Sequence, residues 1–404
     1  MPLTRIPIIA ALLVFTCVCL TCCGTLFFDD PDYFSLEEET PVQEYTDPWE
    51  PSSDETYTET WEVATEDTYT ESVPATPSVS QASNECPPGE AYFAEWGICY
   101  PVLDCADLDT CAEETDALVE QMDMLNEELQ QGVDIGDSSF NPSHIGEFIT
   151  YTVSGDEITN PYLPNVPADL RAYQQDTALH QELWDLFAFL IPAEFRRDLS
   201  AFGLFTDGAD DTLAAVEQDY DDPTRWMLTV DVVDAQNTQE YIVTLIHEYG
   251  HLLTLNANQV PPDMDIFNDP ENEDIYNAAY EACPTYFPGE GCSQPGSYIN
   301  AFFNLYWADR YEEWLEVDSI EDEDDYYDAL DDFYASYQDE FVTDYAATNP
   351  EEDIAESWAY FVLYPQPAGN TIAEQKILFF YNYPDLVRLR AEIVTRTYAY
   401  LQGP

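Results

Sequence analysis

The chain has 404 residues with 82 Asp+Glu against 10 Lys+Arg, a formal net charge of −72, while 45% of its residues are hydrophobic and 14% aromatic. That apolar content excludes a wholly disordered chain and requires a sizeable core. The charge excludes nucleic acids and anionic lipid headgroups as partners, because so acidic a chain repels both.

Residues 1–23 read as an export segment. Arg5 supplies its positive start, and Ile6–Leu20 is an apolar run shorter than the ~20 residues a membrane-spanning helix needs. Leu20-Thr21-Cys22-Cys23-Gly24 resembles a bacterial lipoprotein cleavage site, with Cys23 as the lipid-bearing residue. Simple cleavage or an uncleaved anchor stay open, so the chain is expected at the cell surface or extracellular, with membrane contact only through an N-terminal anchor. Residues 24–85 follow as a disordered acidic Thr/Ser/Pro stalk. Asp29–Glu85 holds 17 acids and no base, and like charges at that density extend the chain.

Beyond the export segment stand Cys86, Cys99, Cys105, Cys111, Cys283 and Cys292, an even number that predicts three disulfides in an exported protein. The first four would staple a small module over residues 86–111, in which the pairing is open. No C-x-x-C spacing occurs among them, which disfavours zinc there. Cys283 and Cys292 bracket a Pro- and Gly-containing segment that a local disulfide would pin.

Residues 112–404 carry the main domain. Arg225–Val233 is β-branched and partly alternating, and reads as a strand. Thr238–Leu255 reads as a helix, with Ile242, Leu245, Ile246, Tyr249, Leu252 and Leu253 forming one apolar stripe. Beside that stripe lies His247-Glu248-Tyr249-Gly250-His251, an H-E-x-x-H motif. Residues four apart stack on one helix face, so both imidazoles can reach one Zn2+, and Glu248 can take a proton from water activated there. With four His in the chain, a chance match is expected on the order of 0.004 times.

A catalytic zinc needs a third protein ligand, and no third His follows at metzincin spacing, since Ala257 stands there. The other imidazoles, His144 and His180, lie well upstream, so a carboxylate is expected. The intervening segment reads as the Cys283–Cys292 loop and two helices. Asp263–Asn268 breaks a calcium-loop pattern, and Glu321–Asp332 reads as a solvated helix face backed by Tyr326, Leu330 and Phe333. Ca2+ is accordingly a weak expectation.

Asn349-Pro350 starts a further helix with acids in its first turn. Ile354, Trp358 and Phe361 form its core stripe, and Glu352 and Glu356 share another face. Glu351 and Asp353 flank Glu352, so the register of the third ligand is open at this stage. Thr371–Pro404 is nearly neutral, with Lys376, Arg388, Arg390 and Arg396 against three acids, and is expected to pack inward.

The His247–His251 and Tyr345–Glu356 segments together resemble the glutamate-liganded zincins (gluzincins), and most closely the anthrax lethal-factor-like branch. There a Tyr sits seven residues before the ligand Glu, as Tyr345 precedes Glu352. The resemblance implies an α+β zincin-like fold, mostly helical after His251 with a small sheet before it. It implies Zn2+ on His247, His251 and Glu352, with Glu248 as general base. Glu356 would orient a zinc His, and Tyr345 would donate to the oxyanion. It also implies a peptide or protein substrate, paired along the Arg225–Val233 strand at a sheet edge. The alternative is a non-catalytic cell-surface binding protein that keeps the zincin fold.

Overall fold

The computed structural model describes residues 86–93, 96–122, 145–208 and 212–402. The export segment with Cys23, the stalk and His144 lie outside the described residues.

A hairpin opens the described chain, β1 (Glu90–Phe93) antiparallel to β2 (Ile98–Pro101), and helix α1 (Leu108–Val119) follows. Disulfides Cys86–Cys99 and Cys105–Cys111 staple this short segment. Such bonds belong to an oxidising compartment. Among the described residues, no helix is long and apolar enough to cross a membrane.

Five strands form the main sheet: β3 (Gly146–Ser154), β4 (Glu157–Tyr162), β5 (Leu199–Thr206), β6 (Ala214–Gln218) and β7 (Trp226–Asp231). Their order is β4-β3-β5-β7-β6, with β5 and β7 parallel and the other pairs antiparallel. Helices α2 (Arg171–Gln175) and α3 (Thr177–Leu190) lie between β4 and β5 in the chain. The strand read over Arg225–Val233 is β7, but it is not at an edge, because β5 pairs with one side and β6 with the other. The reason is written in its composition: Trp226, Met227, Leu228 and Val230 are all buried. A nearly continuous apolar run marks an inner strand, whereas an edge strand facing solvent alternates. Among the described residues, the outermost strand on this side is β6.

All seven described strands precede the helix α4 (Thr238–Leu255), and helices follow it. At the end of β7, the Asp231 carboxylate accepts the backbone N–H groups of Val233 and Asp207 at 2.6 and 2.8 Å. This turns the chain into α4, whose first turn Asn237 caps.

Five helices separate α4 from the helix begun at Pro350, not the two read from sequence: α5 (Met264–Asn268), α6 (Glu273–Ala282), α7 (Tyr298–Tyr306), α8 (Tyr311–Asp318) and α9 (Glu323–Tyr337). Short helices give too few turns for a stripe to register, and α6 has no fully buried residue at all. α9 does present an exposed acidic face with Phe333 buried behind it.

The chain closes with α10 (Pro350–Leu363), α11 (Ile372–Phe380) and α12 (Pro384–Gln402). Ile354, Trp358 and Phe361 of α10 are fully buried. Two of the C-terminal cations turn inward, Lys376 and Arg390 at 1% and 0% exposure, while Arg388 stays exposed and pairs with Asp385. Arg390 pairs with Asp116 of α1 at 2.7 Å, and Arg396 donates to Tyr100 of β2, so α12 holds the disulfide-stapled segment against the rest.

α4 and α10 pack face to face. A Cβ on Gly250 would stand 3.0 Å from Trp358 Cδ1 and 3.1 Å from Ala355 Cα. Glycine costs the helix about 1 kcal/mol relative to alanine, and the closeness of α10 is what that cost permits.

Candidate metal centre

His247 and His251 lie one turn apart on α4, at 6% and 5% exposure, with Glu248 buried beside them. α10 brings the third group. Asn349 caps this helix by accepting the N–H of Glu352 at 2.8 Å, which fixes the turn that carries the carboxylate. Glu352 Oε2 then stands 3.1 Å from His247 Nε2 and 3.3 Å from His251 Nε2, and the two nitrogens are 3.1 Å apart. A tetrahedral metal with bonds near 2.0–2.1 Å sets its ligands about 3.3–3.4 Å apart, so the triangle is close to that size. Three electron-rich atoms this near one another need a cation among them, either a proton or a metal. The group can hold a metal ion.

On the far side of the imidazole, His247 Nδ1 lies 2.8 Å from Glu356 Oε1. The carboxylate accepts, so Nδ1 carries a hydrogen, and in its neutral form the ring would present the Nε2 lone pair to the triangle. Burial alone would lower the basicity of His247, but Glu352 and Glu356 together outweigh it and hold the ring well above its ordinary pKa. Burial would likewise raise Glu352, yet His251 and His247 hold its carboxyl well below the usual range. A metal bound at the triangle would compete with the proton for His247 Nε2.

The neighbours of Glu352 face elsewhere. Glu351 accepts from the Tyr286 hydroxyl at 2.7 Å, and burial pushes its carboxyl up to about 8. Tyr286 is stacked on Phe303 and belongs to the loop closed by the third disulfide, Cys283–Cys292, the pair expected from sequence. Asp353 meets the Lys376 ammonium at 2.6 Å and accepts from Trp307 Nε1 at 2.7 Å. Each helical residue turns the side chain by about 100°, so consecutive acids serve three different neighbours. Glu352 alone of the three reaches the imidazoles.

Tyr345 sits in a 3-10 turn, Tyr345–Ala347, its ring centroid 6.0 Å from that of His247. His180 is elsewhere and is fully buried. Its Nδ1 meets the Tyr151 hydroxyl and its Nε2 the Tyr173 carbonyl, both at 2.8 Å, and burial lowers its pKa. It is a neutral core histidine with both nitrogens engaged. Asp263, from the segment weighed for calcium, caps α5 by accepting the Asp265 and Ile266 N–H groups. A second carboxylate trio, Asp207, Asp231 and Asp234, also gathers within 4.8 Å. There Asp231 is engaged by the N–H groups of Val233 and Asp234 in the turn into α4 and by that of Asp207 just after β5.

Sequence reading missed Thr343, whose hydroxyl reaches Glu356, and the roles of Tyr286 and Lys376. Lys376 alone carried a legible cue, as the only lysine in an acidic chain, set beside the apolar run Ile377–Phe380. No family model, curated protein or solved structure matches the chain.

Proposed function

We propose that the chain is an exported zinc-dependent peptidase of the gluzincin type, held at the cell surface by a lipid on Cys23. The observation that carries this reading is the triangle of His247, His251 and Glu352 with Glu248 buried next to it. Two imidazoles and one carboxylate, leaving a fourth position open, are the donor set of a catalytic zinc. Bound there, Zn2+ supplies Lewis acidity, which polarises the scissile carbonyl and makes water nucleophilic near neutral pH.

The chain's own residues supply the rest. Glu248 takes the proton of the attacking water on its carboxylate and returns it to the leaving amine. Tyr345 donates its hydroxyl to the oxygen that gains charge in the transition state. Glu356 keeps the hydrogen of His247 on Nδ1 and so keeps Nε2 a ligand. β6 offers its outer edge to an extended peptide, which would add to the sheet as a further strand.

Glu248→Ala tests the reading. The variant should bind one Zn2+ per chain like the wild type and lose peptidase activity by about 10²–10⁴-fold. A wild type that binds no zinc sinks the proposal. A wild type that binds zinc but cleaves nothing in a peptide library is instead a binding protein with a retained metal site.

A further inference from the structure

The Thr343 hydroxyl lies 2.8 Å from Glu356 Oε2 and 3.1 Å from the backbone nitrogen of Ala346. A hydroxyl has one hydrogen to give and two lone pairs. The Ala346 N–H can only donate, so it uses a lone pair of Oγ1 and leaves the single hydroxyl hydrogen for the carboxylate. Glu356 is thereby held at both oxygens: Oε2 by Thr343 and Oε1 by His247 Nδ1 at 2.8 Å. A carboxylate held at only one oxygen can swing about its terminal torsion, which is broad and shallow. Held at both, it fixes the plane in which the imidazole must lie.

The same hydroxyl reaches a second part of the site. Ala346 is the middle residue of the turn Tyr345–Ala347, so the bond it gives to Thr343 also closes the turn that carries Tyr345. One side chain outside the metal triangle thus ties together the group that aims His247 and the turn that presents Tyr345. The Glu356 side chain is 15% exposed, and its two oxygens are held by His247 and Thr343.

We infer that Thr343 is a positioning residue of the metal centre, acting through Glu356 on His247. The inference rests on the reading that His247, His251 and Glu352 hold a metal. Removing the Thr343 hydroxyl should weaken metal binding about tenfold, the low end for groups that support a ligand from outside the coordination sphere.

The test uses the full chain, with Zn2+ affinity read by competition against a chromophoric chelator and ligand geometry read from the visible spectrum of bound Co2+. Thr343→Val keeps the shape and removes both hydrogen bonds, and Thr343→Ser restores the hydroxyl. The valine variant should lose about tenfold in Zn2+ affinity and shift the Co2+ bands, and the serine variant should recover both. In a Glu356→Ala background, Thr343→Val should cost nothing more, because its target is gone. Should the valine variant fail to fold, Thr343→Ala is measured in its place against the same serine rescue. Unchanged Zn2+ affinity and Co2+ spectrum in the variant overturn the inference while leaving the metal reading intact. So does an undiminished loss in the Glu356→Ala background. A wild type that binds neither metal overturns the metal reading itself.

Discussion

Lys376 is the chain's only lysine, and it is buried under α10 with its ammonium 2.6 Å from Asp353 Oδ2 and 4.0 Å from the centroid of the Phe341 ring. Burial pushes the Asp353 carboxyl up to about 6 even beside the ammonium, and pulls Lys376 below its ordinary value. On both partners the cost of leaving water outweighs the attraction between them, so the pair is poor as a source of stability and costly to break. Lys376→Met fills the space but strands Asp353, and should cost about 3–5 kcal/mol. The loss should be smaller near pH 5 than near pH 8, because at low pH the stranded carboxyl can take up a proton. Adding Asp353→Asn removes the charge and keeps an oxygen for Trp307, whose indole N–H already donates there at 2.7 Å. The double variant should return to within about 1–2 kcal/mol of wild type. Guanidinium unfolding followed by tryptophan fluorescence, with EDTA present so that metal binding does not contribute, measures both. A single-variant loss below about 1 kcal/mol, or a double variant no better than the single, refutes the argument.

Two further outcomes follow from the same helix. Gly250→Ala should destabilise by about 1–3 kcal/mol instead of gaining helix propensity, because the new methyl meets Trp358 and Ala355. It should also weaken Zn2+ binding by moving α4 off α10, and a stabilised variant with unchanged affinity in chelator competition would contradict the close packing. Glu351→Gln keeps an acceptor for Tyr286 and removes a carboxyl raised by burial from 4.5 to about 8. Across that window the folded wild type holds a proton that the unfolded chain has lost, so its stability falls as pH rises and levels off above about 8. The variant should therefore be more stable than wild type by a few kcal/mol near pH 8 and little changed near pH 4.5, read by urea unfolding at each pH. Equal differences at both pH values would dismiss the raised carboxyl.

The parts of this molecule that could be read from sequence are those whose cause is local. Thr238–Leu255 spans the residues its apolar stripe announces, and Asn349-Pro350 starts α10 where capping chemistry puts it. β7 was legible as a strand, but its place in the sheet depends on β5 and β6, which no local pattern names. The register of the third metal-facing acid was illegible for a geometric reason. Glu351, Glu352 and Asp353 are chemically alike and differ only in direction, and direction is set by Tyr286 and Lys376, one well before α10 in the chain and the other after it. Thr343 belongs to no motif, and only the return of the chain toward α4 gives its hydroxyl a carboxylate to hold.

The acidity that first excluded nucleic acid also bears on which cation suits the triangle. Glu248, Glu352 and Glu356 gather around two imidazoles, all buried or nearly so. Three carboxylates against neutral rings sum to −3; one proton leaves −2, and a divalent metal leaves −1. Glu352 pairs with both imidazoles and Glu356 with His247, while Lys376 is committed to Asp353 and Arg390 to Asp116. A protein rich in lysine could neutralise such a cluster from its own side chains. This one has 10 bases in 404 residues, and its surface field draws cations toward the site. A divalent ion in the triangle would leave less uncompensated charge than a proton, and on the proposed reading capture of Zn2+ should slow as salt screens the field.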